Sequence, residues 1–130
     1  MGMTITEAAE RTGLTPYTLR YYERDGLMLS DVGRSASGHR RYTQEDLGWI
    51  DMLTRLRATG MPIRDVRRYA ELVRADDGNE QVRLDMLRAH REQVLAQLAE
   101  VTEHLGAIDR KIGIYSATLD GLDLERAPSA

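Results

Sequence analysis

The side chains with the most capacity for polar chemistry fall into two short clusters. One is Tyr17-Thr18-Leu19-Arg20-Tyr21-Tyr22-Glu23, and the other is Gly38-His39-Arg40-Arg41-Tyr42. Arginine carries a planar fork of N–H donors that matches a phosphate or a guanine edge, and tyrosine and threonine hydroxyls donate to phosphate oxygens. Together these groups suit recognition of DNA. Successive residues of a helix point about 100° apart, so Arg20, Tyr21 and Tyr22 cannot share one face. Leu19 and Tyr22 fit the inner face, with the Tyr22 hydroxyl at the rim. Tyr17, Thr18, Arg20 and Tyr21 then lie outward or at the edge, and Thr15 opens the same segment. The plain alternative is a surface pair of Arg20 with Glu23, three residues on, beside two packing tyrosines. The second cluster reads as a basic tip on a glycine-hinged loop that reaches a groove or a phosphate backbone, or else as a solvated charge run. Arg57, just ahead of Thr59-Gly60, marks a further loop able to touch phosphate, whereas Arg64, Arg67 and Arg68 read as solvated surface.

Other chemistries find little material. The chain has no cysteine, so thiolate metal ligands and a cysteine nucleophile are excluded, and a reducing cytoplasm is the expected compartment. His39, His90 and His104 are scattered without metal-ligand spacing. There is no glycine-rich phosphate loop, nucleophile elbow or paired-carboxylate cleft. The expectation is a non-enzyme with no catalytic residue, no bound metal and no cofactor. No apolar run approaches the roughly 20 residues that span a bilayer, and the N-terminus lacks the pattern of a secretion signal. The net charge of −3 is a poor guide, because the charges are unevenly placed. Residues 1–69 hold 11 Arg and 9 Asp or Glu, while residues 70–130 hold 7 Lys or Arg and 12 Asp or Glu. A nucleic-acid footprint is a local property of this kind.

The elements that would position the clusters are legible from caps and period. Thr4-Ile5-Thr6-Glu7 is a capping box, followed by a short helix that Gly13 stops. Thr15-Pro16 caps and starts a second helix, which ends near Gly26. Two short helices joined by a tight glycine turn make a helix-turn-helix pattern. Leu27-Met28-Leu29 and Arg40-Arg41-Tyr42, flanking the Gly/Ser-rich stretch from Gly33 to Gly38, read as two strands and a loop, a wing. Thr43 then caps a helix with Leu47, Ile50, Leu53 and Leu56 inward. Gly60 ends it, and Pro62 begins another that carries Ile63, Val66, Tyr69, Ala70 and Val73.

The last segment has the clearest period. Leu84, Leu87, Arg91, Val94, Leu98, Val101, Leu105, Ile108, Ile112, Tyr115 and Leu119 alternate spacings of three and four, and all but Arg91 are apolar. A helix over 80–119 would be roughly 60 Å long, and such a seam asks for a partner helix. A second copy of the chain is the expected partner, the alternative being a hairpin broken near Gly106 or Gly113. The fold expected is mainly α. It comprises a winged helix-turn-helix DNA-binding domain over 1–75, a linker over 76–79, a coiled-coil dimerisation helix over 80–119 and a flexible tail over 120–130.

The order and spacing of Thr4–Gly13, Thr15–Glu23 with Gly26-Leu27, Gly38–Tyr42 and Gly60-Met61-Pro62-Ile63 resemble the MerR family of bacterial transcription regulators. The likeness covers residues 4–75, and the long helix extends it. The resemblance implies a homodimer whose long helices pair antiparallel, each head reading half of an inverted repeat in promoter DNA. By position it implies recognition-helix contacts from Tyr17, Thr18, Arg20, Tyr21 and Tyr22. It implies first-wing contacts from His39, Arg40, Arg41 and Tyr42, and a second-wing contact from Arg57. It also implies distortion of the promoter spacer, through which RNA polymerase is reached indirectly. The chain departs from thiol-sensing relatives in lacking cysteine. An unidentified small-molecule effector would sit between the long helix and the head, or no ligand is sensed. Two other readings compete. One is a small-molecule-binding module whose apolar pocket is lined by Trp49, Met52, Tyr69 and Met86, residues that core packing would equally explain. The other is a structural coiled-coil adaptor.

Overall fold

The computed structural model describes residues 2–29 and 32–126. Its elements run α1 (Ile5–Thr12), α2 (Pro16–Arg24), β1 (Gly33–Arg34), β2 (Arg40–Arg41), α3 (Gln44–Ala58), α4 (Ile63–Ala75) and α5 (Glu80–Arg126). The chain divides into two compact units, Met1–His90 and Arg91–Ala130. The division falls eleven residues into α5 rather than at 76–79.

Local chemistry explains the short helices. The Thr4 hydroxyl accepts from the Glu7 N–H at 3.1 Å, and the Glu7 carboxylate accepts from the Thr4 N–H, closing the capping box on α1. Gly13 stops that helix at φ 73°, a left-handed conformation that costs a side-chain-bearing residue more. Thr15 caps α2 through the Thr18 N–H, and Pro16 starts it where no N–H is needed. Thr43 and Asp46 exchange capping bonds of 2.9 and 3.1 Å at the start of α3.

The first unit builds one core. Ala8, Leu19, Leu27, Tyr42, Ile50, Leu53 and Val66 are almost wholly buried, and Trp49, Met52, Tyr69 and Leu87 pack against that cluster. Trp49 and Tyr69 stack with ring centroids 5.8 Å apart and planes 13° apart. The proposed apolar pocket residues Trp49, Met52 and Tyr69 are therefore packing residues.

The wing differs from its expected form. Leu27–Leu29 is not a strand; β1 is Gly33–Arg34, antiparallel to β2 in the register Gly33↔Arg41 and Arg34↔Arg40. The reason is that the backbone of 26–28 is satisfied by other groups. Trp49 Nε1 donates to the Leu27 carbonyl at 2.7 Å, and Arg74 donates to the carbonyls of Gly26 and Met28 at 2.5 and 2.8 Å. With its carbonyls paired to side chains, the segment has no use for a neighbouring strand. Met3 takes the other edge of β2's continuation, exchanging bonds of 2.7 and 2.8 Å with Tyr42. Gly38, at φ 83°, closes the wing turn by donating to Ser35 O at 2.9 Å.

Helix α5 runs unbroken through Gly106 and Gly113, so the hairpin alternative falls. It also continues to Arg126, past the expected end at 119; the remainder of the expected flexible tail, 127–130, lies outside the described residues. Leu87, read as a seam residue, packs instead on the first unit's core. In the second unit Leu98, Val101, Leu105, Ile108, Ile112, Tyr115 and Leu119 are each more than half exposed. Leu122 continues their spacing. Among the described residues, no helix is long and apolar enough to cross a membrane.

Candidate nucleic-acid interface

Helix α2 buries Leu19 and Tyr22 and turns its other faces outward. Tyr17 is 72% exposed, Arg20 is exposed, and Thr18 is half-buried. Tyr21 leans on the core edge with its ring 6.1 Å from that of Tyr22. Thr15 is exposed, but its hydroxyl already caps the helix and lies 3.1 Å from the Thr18 hydroxyl.

The surface pairing of Arg20 with Glu23 does not form. Glu23 turns to the wing, where its carboxylate accepts from Arg34 at 3.1 Å and from Arg40. Among the described residues Arg20 makes no ion pair, so its guanidinium can reach an outside partner.

The two clusters of the sequence converge. The start of α1 at Thr4–Thr6, Arg20 of α2, and Arg34, His39, Arg40 and Arg41 of the wing line one recess of about 330 Å³. Four arginines, two of them paired to Glu23, line that space with the N-terminal end of α1, and their cationic excess attracts a negatively charged ligand. Arg57 does not line it; its Nη1 donates to Met61 O at 2.8 Å, fixing the turn between α3 and α4.

Two expected contact residues are core residues. Tyr42 is 0% exposed and Tyr22 is 7% exposed. The Tyr42 hydroxyl has no hydrogen-bond partner among the described residues. Burial, and then the Glu23 carboxylate, push its pKa above the ordinary value of 10.0, against a smaller opposing pull from Arg40, Arg20 and Arg34. Tyr42 supports the wing from beneath by side-chain packing and by its backbone exchange with Met3.

Some contributors escaped the sequence reading. Arg34 sat in a Gly/Ser stretch that reads as loop, and Thr4–Thr6 were visible only as a helix start. Arg67, read as solvated surface, bonds Asp25 at 2.5 Å and ties α4 to the end of α2; that bond and the Asp25 charge raise its pKa further. His90 lies off the seam, so no period pointed to it. It is 8% exposed, and its Nε2 is 2.7 Å from the Thr59 hydroxyl at the end of α3. That hydroxyl also donates to Arg55 O.

Among the described residues, no group of three or more His, Cys, Asp or Glu is placed to hold a metal ion. Comparison with known proteins places this geometry in a family. Residues 3–72 match the family described as MerR HTH family regulatory protein. An HTH-type transcriptional regulator of Haemophilus influenzae is 37% identical over 115 residues, covering 88% of this chain and 84% of that protein. The crystal structure of HiNmlR, a MerR family regulator lacking the sensor domain and bound to promoter DNA, is similar with a TM-score of 0.82. It is 36% identical, and the match covers 92% of this chain and 94% of that one. A MerR family transcriptional regulator from Listeria monocytogenes is similar with the same TM-score, 0.82, at 30% identity over 96% of this chain and 99% of that one. The chain belongs to the MerR family of helix-turn-helix regulatory proteins, the DNA-binding transcription regulators.

Proposed function

We propose that this protein is a homodimeric regulator that binds an inverted repeat in promoter DNA and holds the intervening spacer in a distorted form. The observation that carries the DNA reading is the convergence of exposed Arg20 with the arginines of the wing on one recess. Arg20, Tyr17 and Thr18 are offered to the major groove, and His39, Arg40 and Arg41 to the flanking backbone. Arg57, beside the turn before α4, is proposed as a further phosphate contact. Tyr21 and Tyr22 act through their rims and their packing, and Thr15 and Tyr42 by positioning their neighbours. HiNmlR, bound to promoter DNA, supports the same reading.

The dimer rests on α5. Val94, Leu98, Val101, Leu105, Ile108, Ile112 and Tyr115 lie at coiled-coil spacing, and most are more than half exposed. Burying one large apolar side chain contributes about 1.5–3 kcal/mol, so a matching helix on a second copy would gain several such terms. Leu84 lies at the start of the same register. A dimer carries two heads, which suits a two-fold repeated operator. Distorting the spacer would bring separated promoter elements into register for RNA polymerase, which the protein thus reaches through DNA. Such a protein acts in the cytoplasm.

The test is selection of duplexes from a random pool by the full-length chain, with sedimentation of the free protein. Inverted-repeat duplexes and a dimer are expected. Arg20→Ala should weaken binding to the selected duplex about 10- to 100-fold, the usual worth of a two-pronged base contact. Selection of sites without a dyad, or unaltered binding by Arg20→Ala, would sink the assignment.

A further inference from the structure

We propose that Glu23 is a positioning residue that locks the wing to the recognition helix and thereby sets specificity rather than affinity. The inference rests on the DNA-binding reading above. Glu23 is the penultimate residue of α2. One carboxylate oxygen accepts from Arg34 at 3.1 Å and the other from Arg40. Arg34 and Arg40 face each other directly across the β1–β2 ladder. A single carboxylate on the recognition helix therefore holds one arginine from each strand of the wing.

Three physical points follow from this arrangement. Like charges directly opposite in a ladder repel, and Glu23 is the group between them that cancels the repulsion. A ribbon with only two paired positions cannot fix its own orientation, so its tethers decide it. The Met3–Tyr42 exchange holds one edge of the wing, and Glu23 holds its face to α2. The Glu23 side chain is 19% exposed and Arg40's is 27% exposed, which limits the screening that weakens fully solvated pairs.

A carboxylate at a DNA-facing surface lowers sequence-independent attraction to phosphate. Its presence there makes sense if it exchanges loose attraction for a defined geometry. Arg20, one turn earlier on the same helix, carries no such partner among the described residues and is left to read DNA. The anchor and the reader thus share one helix, so the wing can settle on the backbone only when α2 sits correctly in the groove.

The experiment compares wild type, Glu23→Gln and Glu23→Asp on a duplex selected by the wild type and on a scrambled duplex, across a salt series. Glu23→Gln keeps the size and removes the charge. It should bind the scrambled duplex several-fold more tightly and the selected one more weakly, so that the ratio falls about tenfold. Each arginine released onto phosphate adds about 0.9 to the slope of log affinity against log salt; Arg40 is already offered to the backbone, so freeing Arg34 should steepen the slope on scrambled DNA by up to about one. In an Arg34→Gln, Arg40→Gln background the same change should leave the slope where it is. Glu23→Asp keeps the charge on a shorter arm and should give an intermediate ratio with a near wild-type slope. An unchanged ratio and slope in Glu23→Gln overturns the proposal, as does an equal loss on both duplexes. If Glu23→Gln fails to fold, a wild-type ratio in Glu23→Asp overturns it. A wild-type chain that selects no duplex overturns the DNA reading, and this inference with it.

Discussion

Leu53 and Leu98 are the same residue type in the middle of long helices, yet Leu53 is 0% exposed and Leu98 is 60% exposed. The contrast holds for the units they belong to. Between Met1 and His90, apolar side chains from α1, α2, α3, α4 and the first turns of α5 close on one another. From Arg91 onward, the large apolar residues lie mostly open along one helix. An apolar stripe of that length is stable in water only when covered. The first unit answers its hydrophobic demand within the chain. The second leaves its apolar stripe uncovered, and the proposed dimer would cover it. Residues of the first kind fold a head, and those of the second are the ones proposed to join two heads.

The strongest way to break the comparison is to charge the seam. Leu98→Glu with Leu105→Glu should convert the proposed dimer to monomers while the head stays folded. Losing the second head's effective concentration should weaken binding to an inverted repeat by about 10²- to 10⁴-fold. Sedimentation and gel shift read the two effects, and an unaltered dimer would show that the seam is not the interface. The counterpart in the head is Leu53→Ala. It removes a wholly buried side chain and should cost about 2–5 kcal/mol of head stability. Chemical denaturation measures that loss, and an equal cost from Leu98→Ala in an isolated monomer would erase the distinction drawn between the units.

Smaller effects sharpen the head's construction. Thr43→Ala removes the cap of α3 and half of its capping box. A loss of about 1 kcal/mol is expected, with the dimer unaffected. Tyr42→Phe deletes a buried hydroxyl that has no partner among the described residues, so stability at neutral pH should change by less than about 1 kcal/mol. Its effect lies at high pH. The folded state raises the Tyr42 pKa, chiefly by burial, so it favours the neutral phenol. That contribution is fully present below the ordinary tyrosine value of 10.0 and is lost as pH rises through the higher folded value. Alkaline titration of stability should therefore show a steeper fall in wild type than in Tyr42→Phe.

Much of the head was legible in the residues. Thr4-x-x-Glu7, Thr15-Pro16 and Thr43-x-x-Asp46 announced three helix starts, because a cap is a local bond between near neighbours. The apolar period of α5 was legible for a similar reason, since its spacing is a property of one helix. The wing was only half legible. Leu27–Leu29 has the apolar, branched look of a strand, but its carbonyls go to Trp49 and Arg74, which lie more than twenty residues away. Tyr42 looked like a contact because it follows two arginines, and closure of the head's core buried it.

The amino-acid order alone determined the capped helix starts, the apolar period of α5 and the grouping of the cationic residues, since each depends on spacing along one chain segment; it did not determine the end of α5, which runs on to Arg126. Only the tertiary structure decided which cations are paired among the described residues. Glu23 could have neutralised Arg20 by sequence distance; instead it pairs with Arg34 and Arg40 of the wing. The tertiary structure likewise decided that Leu87 and His90 belong to the head, where α5 meets the core and the end of α3. Ion pairs and burial are set by proximity in space, and the partners in each of these cases are brought together only when the core closes.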